Sequence, residues 1–376
     1  MKKFFVLLLA SLLLCCSLSG CSEGGSVSEK RTLSVFNWGE YIDMSVIEQF
    51  EEETGIDVVY SLYETNEEMY LKLSSGGSNY DVLFPSDYMI ERLINEDRLA
   101  KINFDNVPNY ELIGDQFKNL AYDPNNEYSV PYMWGTLGIL YNTTMVDEEP
   151  DWDTLWDPQY AGNIIMSDSV RDTFTPALKR LGYSCNETDE AHLREALTSL
   201  IDQADLVYGY YVDQSKDQMA TENAALALIY AGDAQTAIEL NENLAFTIPT
   251  YSNLFFDAMV IPANAQNKDE AEEFINFMCR TDIAIKNLWE IWYSTPHEAL
   301  TPYLDPEQTD AATLAEFLGW DEEEAQELLD CELLENEIMF PDPSAYEHCE
   351  VFLDLGEANA LYDALWTEMK ASIGGW

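Results

Sequence analysis

The sequence predicts an α/β protein built as two domains. Strands and helices alternate along it at the spacing of βαβ units, which implies parallel sheets. The chain has 376 residues and 47% of them are hydrophobic, enough for two cores. One apolar and aromatic stretch, SVPYMWGTLGILYN, runs on long enough to leave one domain and enter a second.

The N-terminus comes first. Lys2 and Lys3 precede an apolar run from Phe4 to Leu14, followed by Leu18-Ser19-Gly20-Cys21. A short basic region, an apolar core and a small-residue ending make a secretory signal, too short to span a membrane. The Leu-Ser-Gly-Cys ending resembles the bacterial lipobox, which implies cleavage before Cys21 and a lipid on its sulfur. Residues 1–20 are therefore expected to be the signal peptide and 21–31, rich in Gly and Ser, a lipidated cysteine with a flexible tether. The mature protein is expected at the outer face of a bacterial cytoplasmic membrane, held by its lipid and without a spanning helix.

LSVFNW reads as a strand. Asp43 or Ser45 can cap the helix that follows, whose Val46, Ile47 and Phe50 recur at helical spacing, and Gly55 stands where a C-terminal glycine belongs. IDVVYSLY is a second strand, rich in β-branched residues. A helix around Glu67 to Leu73, a Gly-Gly turn, the strand YDVLFP and the helix SDYMIERLINED come next, then a loop, NFDNVPNYELIG. Beyond the long strand, NIIMSDSVRDTFTPALKRLGY opens another strand-helix unit. NAALALIYAGDAQTAIEL reads as strand, Gly-Asp turn and helix. LFFDAMVIPANAQNKDEAEEFINFM is a return strand, a turn and a helix. From about Thr301 the chain is helical and acidic, with WDEEEAQELLD and GEANALYDALWTEMKAS the clearest segments.

The formal charge of −52 disfavours nucleic acid as a partner, because phosphates would be repelled. It suits a protein that meets cations, although much of it, as in Asp321 to Glu324, reads as a solvated face. Four cysteines remain beyond the leader and Cys21, namely Cys185, Cys279, Cys331 and Cys349, and their spacing allows bridges or free thiols. No zinc spacing, no cofactor motif and no HExxH, GxSxG or P-loop appears, so neither a metal, a cofactor nor an enzyme is expected.

Ligands of parallel α/β sheets bind beyond the carboxyl ends of the strands. Trp38, Glu40 and Tyr41 sit at such an end, as do Ser86, Asp87 and Tyr88, then Ser167 and Asp168, then Gly232 and Asp233. Strand after strand ends in aromatics or carboxylates, and their convergence suggests one site. A carboxylate binds an ammonium through a charge-assisted hydrogen bond of roughly 1.5–3 kcal/mol net. An aromatic face attracts the same cation by about 0.5–2 kcal/mol and packs a methylene chain. Two or three such ion pairs with several walls could supply the roughly 8 kcal/mol of a micromolar complex.

Several stretches carry a family likeness: NWGEYID…FEEETGIDVVYSLYETNEEMYLKL, YDVLFPSDYMIERL, YDPNNEYSVPYMWGTLGI, MSDSVRDTFTPALKRLGYS, FDAMVIPANAQNKDEAEEFINF and YSTPHEAL. Together, over nearly all of residues 32 to 300, they resemble the bacterial spermidine/putrescine-binding proteins, the substrate-binding components of polyamine ABC transporters. The resemblance implies a two-domain periplasmic-binding-protein (type II) fold with a hinge and an interdomain ligand cleft. Domain one would be 32–138 plus 258–303 and domain two 139–257 plus 304–376, with hinge strands near Gly135-Thr136-Leu137 and Asp257-Ala258. It implies a polyamine ligand, permease subunits as partners and a monomer.

Carried over by position, Trp38, Tyr41 and Tyr293 would wall the ligand, Ser86 and Tyr88 would follow the YDVLFP strand, and Asp172 and Asp257 would take two ammonium groups. Tyr230 and Phe255 stand where the family often has Trp, and Ser169 where well-studied members have an acid. Phe352 matches a Gln. Glu40, Asp87, Asp168, Ser169 and Asp233 are secondary candidates. The departures leave spermidine, putrescine and other diamines open. A sugar or another organic cation is the alternative solute, and a carboxylate-based surface hydrolase the alternative class.

Overall fold

The computed structural model describes residues 31–76 and 79–374. The leader, Cys21 and all of the tether except Arg31 lie outside the described residues.

Strand β1 (Thr32–Trp38) pairs in parallel with β2 (Asp57–Tyr63), Thr32 opposite Asp57 and Trp38 opposite Tyr63. Between them runs α1 (Met44–Thr54). Asp43 caps it by accepting the Ser45 amide, its Val46, Ile47 and Phe50 are buried, and Gly55 ends it at φ 70°, a left-handed conformation that glycine adopts without strain. Helix α2 (Asn66–Ser74) starts at a Thr65 cap. The predicted YDVLFP strand shrinks to β3 (Val82–Leu83), because Pro85 and the start of α3 (Asp87–Asn95) follow at once. The predicted loop after α3 contains three short 3₁₀ turns between Phe104 and Phe117.

Strand β4 (Ser129–Asn142) is the long aromatic stretch and is buried at all but one position. Its 14 residues reach roughly 45 Å at the usual rise. Then come β5 (Ile164–Ser167), α4 (Val170–Arg180), α5 (Glu190–Gln203), β6 (Val207–Tyr211), α6 (Gln214–Ala220), β7 (Leu226–Tyr230) and α7 (Ala231–Leu240). Gly232 and Asp233 lie in the first turn of α7 rather than in a separate turn. Strands β8 (Leu244–Thr247) and β9 (Leu254–Val260) follow, then α8 (Lys268–Met278) and α9 (Thr281–Ile291).

The strands order as β2-β1-β3-β9-β4-β7-β5-β6, with β8 also on β4. The pairs β1/β2, β1/β3, β5/β6 and β5/β7 are parallel, whereas β3/β9, β4/β9, β4/β7 and β4/β8 are antiparallel. The expected parallel sheets are present as two parallel blocks, joined through the antiparallel pairing of β4 and β9. Strands β8 and β9, six residues apart with no helix between them, run in line along β4. Ser129–Thr136 of β4 pairs with β9, and Leu137–Asn142 with β7 and β8.

Each block has its own core. Leu33, Val35, Val46 and Phe50 pack with Phe274 of α8, and Phe36, Tyr63, Met89 and Leu93 form a neighbouring cluster. In the other block Ile164, Phe174, Leu193 and Leu226 pack with Tyr362, Leu365 and Met369 of the last long helix, Ala358–Ser372. The acidic segment carries an apolar face beneath its charge. Leu314, Leu318, Leu328 and Leu329, on helices Ala311–Leu318 and Glu322–Asp330, dock on Ala284, Ile285 and Leu288 of α9. Residues 304–340 thus rest on an element that the sequence assigned to domain one. Cys185, Cys279, Cys331 and Cys349 are free thiols. No helix among the described residues is long and apolar enough to cross a membrane.

Candidate ligand-binding site

The residues that follow β1, β2, β3, β5, β6 and β7 line one cavity, together with Asn253, Phe255 and Asp257 of the β9 region, Tyr293 and Phe352. It encloses about 700 Å³ including its open mouth. Trp38, Tyr41, Ser86, Tyr88, Asp172, Tyr230, Phe255, Asp257 and Tyr293 all line it, as do the secondary candidates Glu40, Asp87, Ser169 and Asp233. Asp168 does not. Its Oδ1 accepts a hydrogen bond from Lys370 Nζ at 2.6 Å, on the last long helix.

The acids are held by phenols. Tyr41 donates to Asp257 Oδ2 at 2.7 Å, Tyr230 to Asp172 Oδ2 at 2.6 Å, and Tyr293 to Asp233 Oδ2 at 3.0 Å. Burial, reinforced by the neighbouring carboxylate, raises all three phenols well above their ordinary range, so they remain neutral donors. The rings also brace one another. Tyr41 meets Tyr293 edge-on at 4.8 Å, and Tyr230 meets Phe255 at 5.4 Å. Gly232 makes room for this wall, since a Cβ there would lie 2.1 Å from the Tyr293 ring. Trp38 is pinned by its indole N–H to the Phe84 carbonyl at 2.7 Å.

Burial pushes Asp257 up to about 6; hydrogen bonds from Ser86 and Tyr41 pull it down and the Asp172 charge pushes it up. Its Oδ1 is buried without a hydrogen-bond partner, an expensive arrangement for a carboxylate. Asp172 is also raised by burial, against bonds from Ser169 and Tyr230 and the nearby Arg171 charge. Asp87 is different. Its Oδ1 accepts the Tyr88 amide at 2.7 Å and its Oδ2 the Phe256 amide at 3.1 Å, so it is a strut between α3 and β9. Ser86 is held by Asn66, whose Nδ2 donates to Ser86 Oγ at 3.0 Å. Tyr88 turns its hydroxyl to Glu67 Oε1 at 3.0 Å.

Sequence reasoning missed Glu64, Thr65, Asn66, Val212, Asp213 and Asn253 in the lining. The rule that found Trp38 would have found Glu64 after β2 and Asp213 after β6 had it been applied there. Burial, and then the Asp233 charge, push Asp213 up to about 7. Lys216 was missed as well. Its Nζ lies 2.7 Å from Glu40 Oε2 and 3.2 Å from Asp233 Oδ1. Burial pulls it down, but Asp233 and Glu40 more than offset that and hold it charged. Among the described residues no Lys, Arg or His lines the cavity, whereas Glu40, Glu64, Asp87, Asp172, Asp213, Asp233 and Asp257 do.

Residues 45–315 match the family described as bacterial extracellular solute-binding proteins. The chain belongs to that family. It is 32% identical over 375 residues to the spermidine/putrescine-binding periplasmic proteins of Salmonella typhimurium and of Escherichia coli K12, covering 99% of each chain. Among solved structures, the family member described as a spermidine/putrescine ABC transporter substrate-binding protein from Streptococcus pneumoniae is 37% identical, with a TM-score of 0.69 over 91% of this chain and 99% of that one. The TpPotD lipoprotein of Treponema pallidum gives 26% and 0.73 over 90% and 99%. These family members are solute-binding components of transporters, not enzymes.

Proposed function

We propose that the protein captures a polyamine in this cavity and delivers it to the permease of an ABC transporter. The observation that carries the reading is the lining itself: buried carboxylates without a lysine, arginine or histidine among them, walled by aromatic rings, with Asp257 Oδ1 unpartnered. Such a cavity suits a ligand that alternates ammonium groups with methylenes. Asp257 and Asp172 take the ammonium groups; Trp38, Tyr41, Tyr88, Tyr230, Phe255 and Tyr293 sandwich the chain; Ser86 and Ser169 hold the two acids in place. Two ion pairs and several ring contacts, at roughly 1.5–3 and 0.5–2 kcal/mol each, reach the range of micromolar binding.

The two parallel blocks act as lobes that close on the ligand, turning where β4 and β9 pass between them, near Gly135–Leu137 and Asp257–Ala258. The relatives' names, the lipoprotein from Treponema pallidum among them, support both the ligand class and anchoring through Cys21. The closed monomer then docks on the permease at the membrane surface.

Calorimetric titration of the purified protein with putrescine, cadaverine, spermidine, spermine and neutral sugars tests this. One-to-one, salt-sensitive binding of an amine is the expected result. Heat from a sugar with silence toward all four amines would overturn it.

A further inference from the structure

Lys216 sits on α6 and is 9% exposed. Its ammonium lies between Glu40, at the turn after β1, and Asp233, in the first turn of α7. Asp233 is thereby used on both oxygens, Oδ1 by Lys216 and Oδ2 by the Tyr293 hydroxyl. Asp257 at the other end keeps a bare, buried Oδ1. The same kind of acid is satisfied by the protein at one end and left for a ligand at the other.

We propose that Lys216, standing behind the lining, is a built-in cation that occupies the Glu40 and Asp233 carboxylates of the cavity, so that the cleft selects ligands with two ammonium groups over those with three. The inference rests on the polyamine reading and refines it. A third ligand ammonium reaching this end would meet a tethered ammonium already seated on the acids it needs. Displacing Lys216 would strand a buried charge away from both partners, which is strongly unfavourable. Among the described lining acids, Asp213 also interacts with Lys216. Asp213 lies in the field of Asp233, Lys216, Glu40 and Glu64, and its pKa of about 7 leaves it partly protonated at neutral pH. With Lys216 seated, Glu40 and Asp233, the two carboxylates that a third ammonium would need there, are already paired. Without Lys216, Glu40 and Asp233 would be free to take an ammonium, as Asp257 and Asp172 each are.

The test compares putrescine and spermidine affinities of the wild type, Lys216→Met and Lys216→Gln, with thermal melting to confirm that each is folded. The glutamine variant keeps a donor for Asp233 should the methionine variant fail to fold. The wild type is expected to prefer putrescine by at least tenfold. Removing the charge should shift the ratio toward spermidine by at least tenfold. A wild type that prefers spermidine, or folded variants with an unchanged ratio, would overturn the role of Lys216 while leaving amine binding intact. No amine binding by any of the proteins would instead remove the polyamine reading, and this inference with it.

Discussion

The two ends of the cleft present similar acids in opposite conditions. At one end Asp257 and Asp172 each hold a tyrosine hydroxyl, and Asp257 still has an unpartnered oxygen. At the other, Asp233 and Glu40 close around Lys216. The difference teaches that lining a cavity does not by itself make a carboxylate a binding group; the partners its own protein supplies decide how much of it is left for a ligand. Asp87 makes the point again: it is buried among the others and already saturated by two backbone amides.

The largest effect should come from the bare acid. Asp257→Ala removes a charge-assisted contact worth roughly 1.5–3 kcal/mol, so putrescine binding should weaken about 10- to 150-fold in titration. An affinity like that of the wild type would take Asp257 out of the site and erase the contrast between the ends.

The next effect is one of pH. The folded chain holds the Asp257 proton up to about 6, whereas the unfolded chain loses it near the ordinary 3.8. Between those values the folded state binds more protons, so the empty protein should lose thermal stability as pH rises through that window. An ammonium ligand needs the ionised acid, so affinity should run the other way. It should fall by about tenfold from pH 7 to pH 5 and be level above about 7. Titrations at three pH values check the sign, and a flat profile would mean that Asp257 is already ionised well below 6.

Two smaller substitutions sharpen the comparison further. Tyr230→Phe removes a neutral donor from Asp172 and should weaken the diamine roughly 2- to 10-fold, the weight of one ordinary hydrogen bond. Tyr293→Phe removes the corresponding donor from Asp233, where Lys216 remains, and should cost about threefold or less. If the order of these two were reversed, the Asp233 end would be the one that holds the ligand.

Much of this was readable in the sequence. The alternation of strands and helices gave the elements, and the aromatic and acidic strand ends gave Trp38, Tyr41, Ser86, Tyr88 and Asp233 as neighbours in one cavity. Asp257 and Tyr293 needed the family likeness, because neither follows a parallel strand. Asp257 lies within β9, a strand antiparallel to its partners, and the direction of a strand depends on a connection whose path the local pattern does not encode. Asp168 looked equivalent to its neighbours, yet Lys370, 202 residues away, takes it. Lys216 was invisible for the same reason. Its meaning comes from Glu40 and Asp233, which the fold brings to it from other elements. The acidic segment read as a solvated face, and its leucines show their purpose only once α9 is beside them.

The phenol that faces each of three acids has one further consequence. A carboxylate in water carries a shell of solvent that must be stripped before a ligand can touch it. Here part of the stripping is done when the chain has folded, since a tyrosine hydroxyl already stands on each of the three acids. An arriving ammonium has less of that shell left to remove. The dipoles it meets are already oriented, so the acids themselves contribute little reorganisation to the barrier for capture.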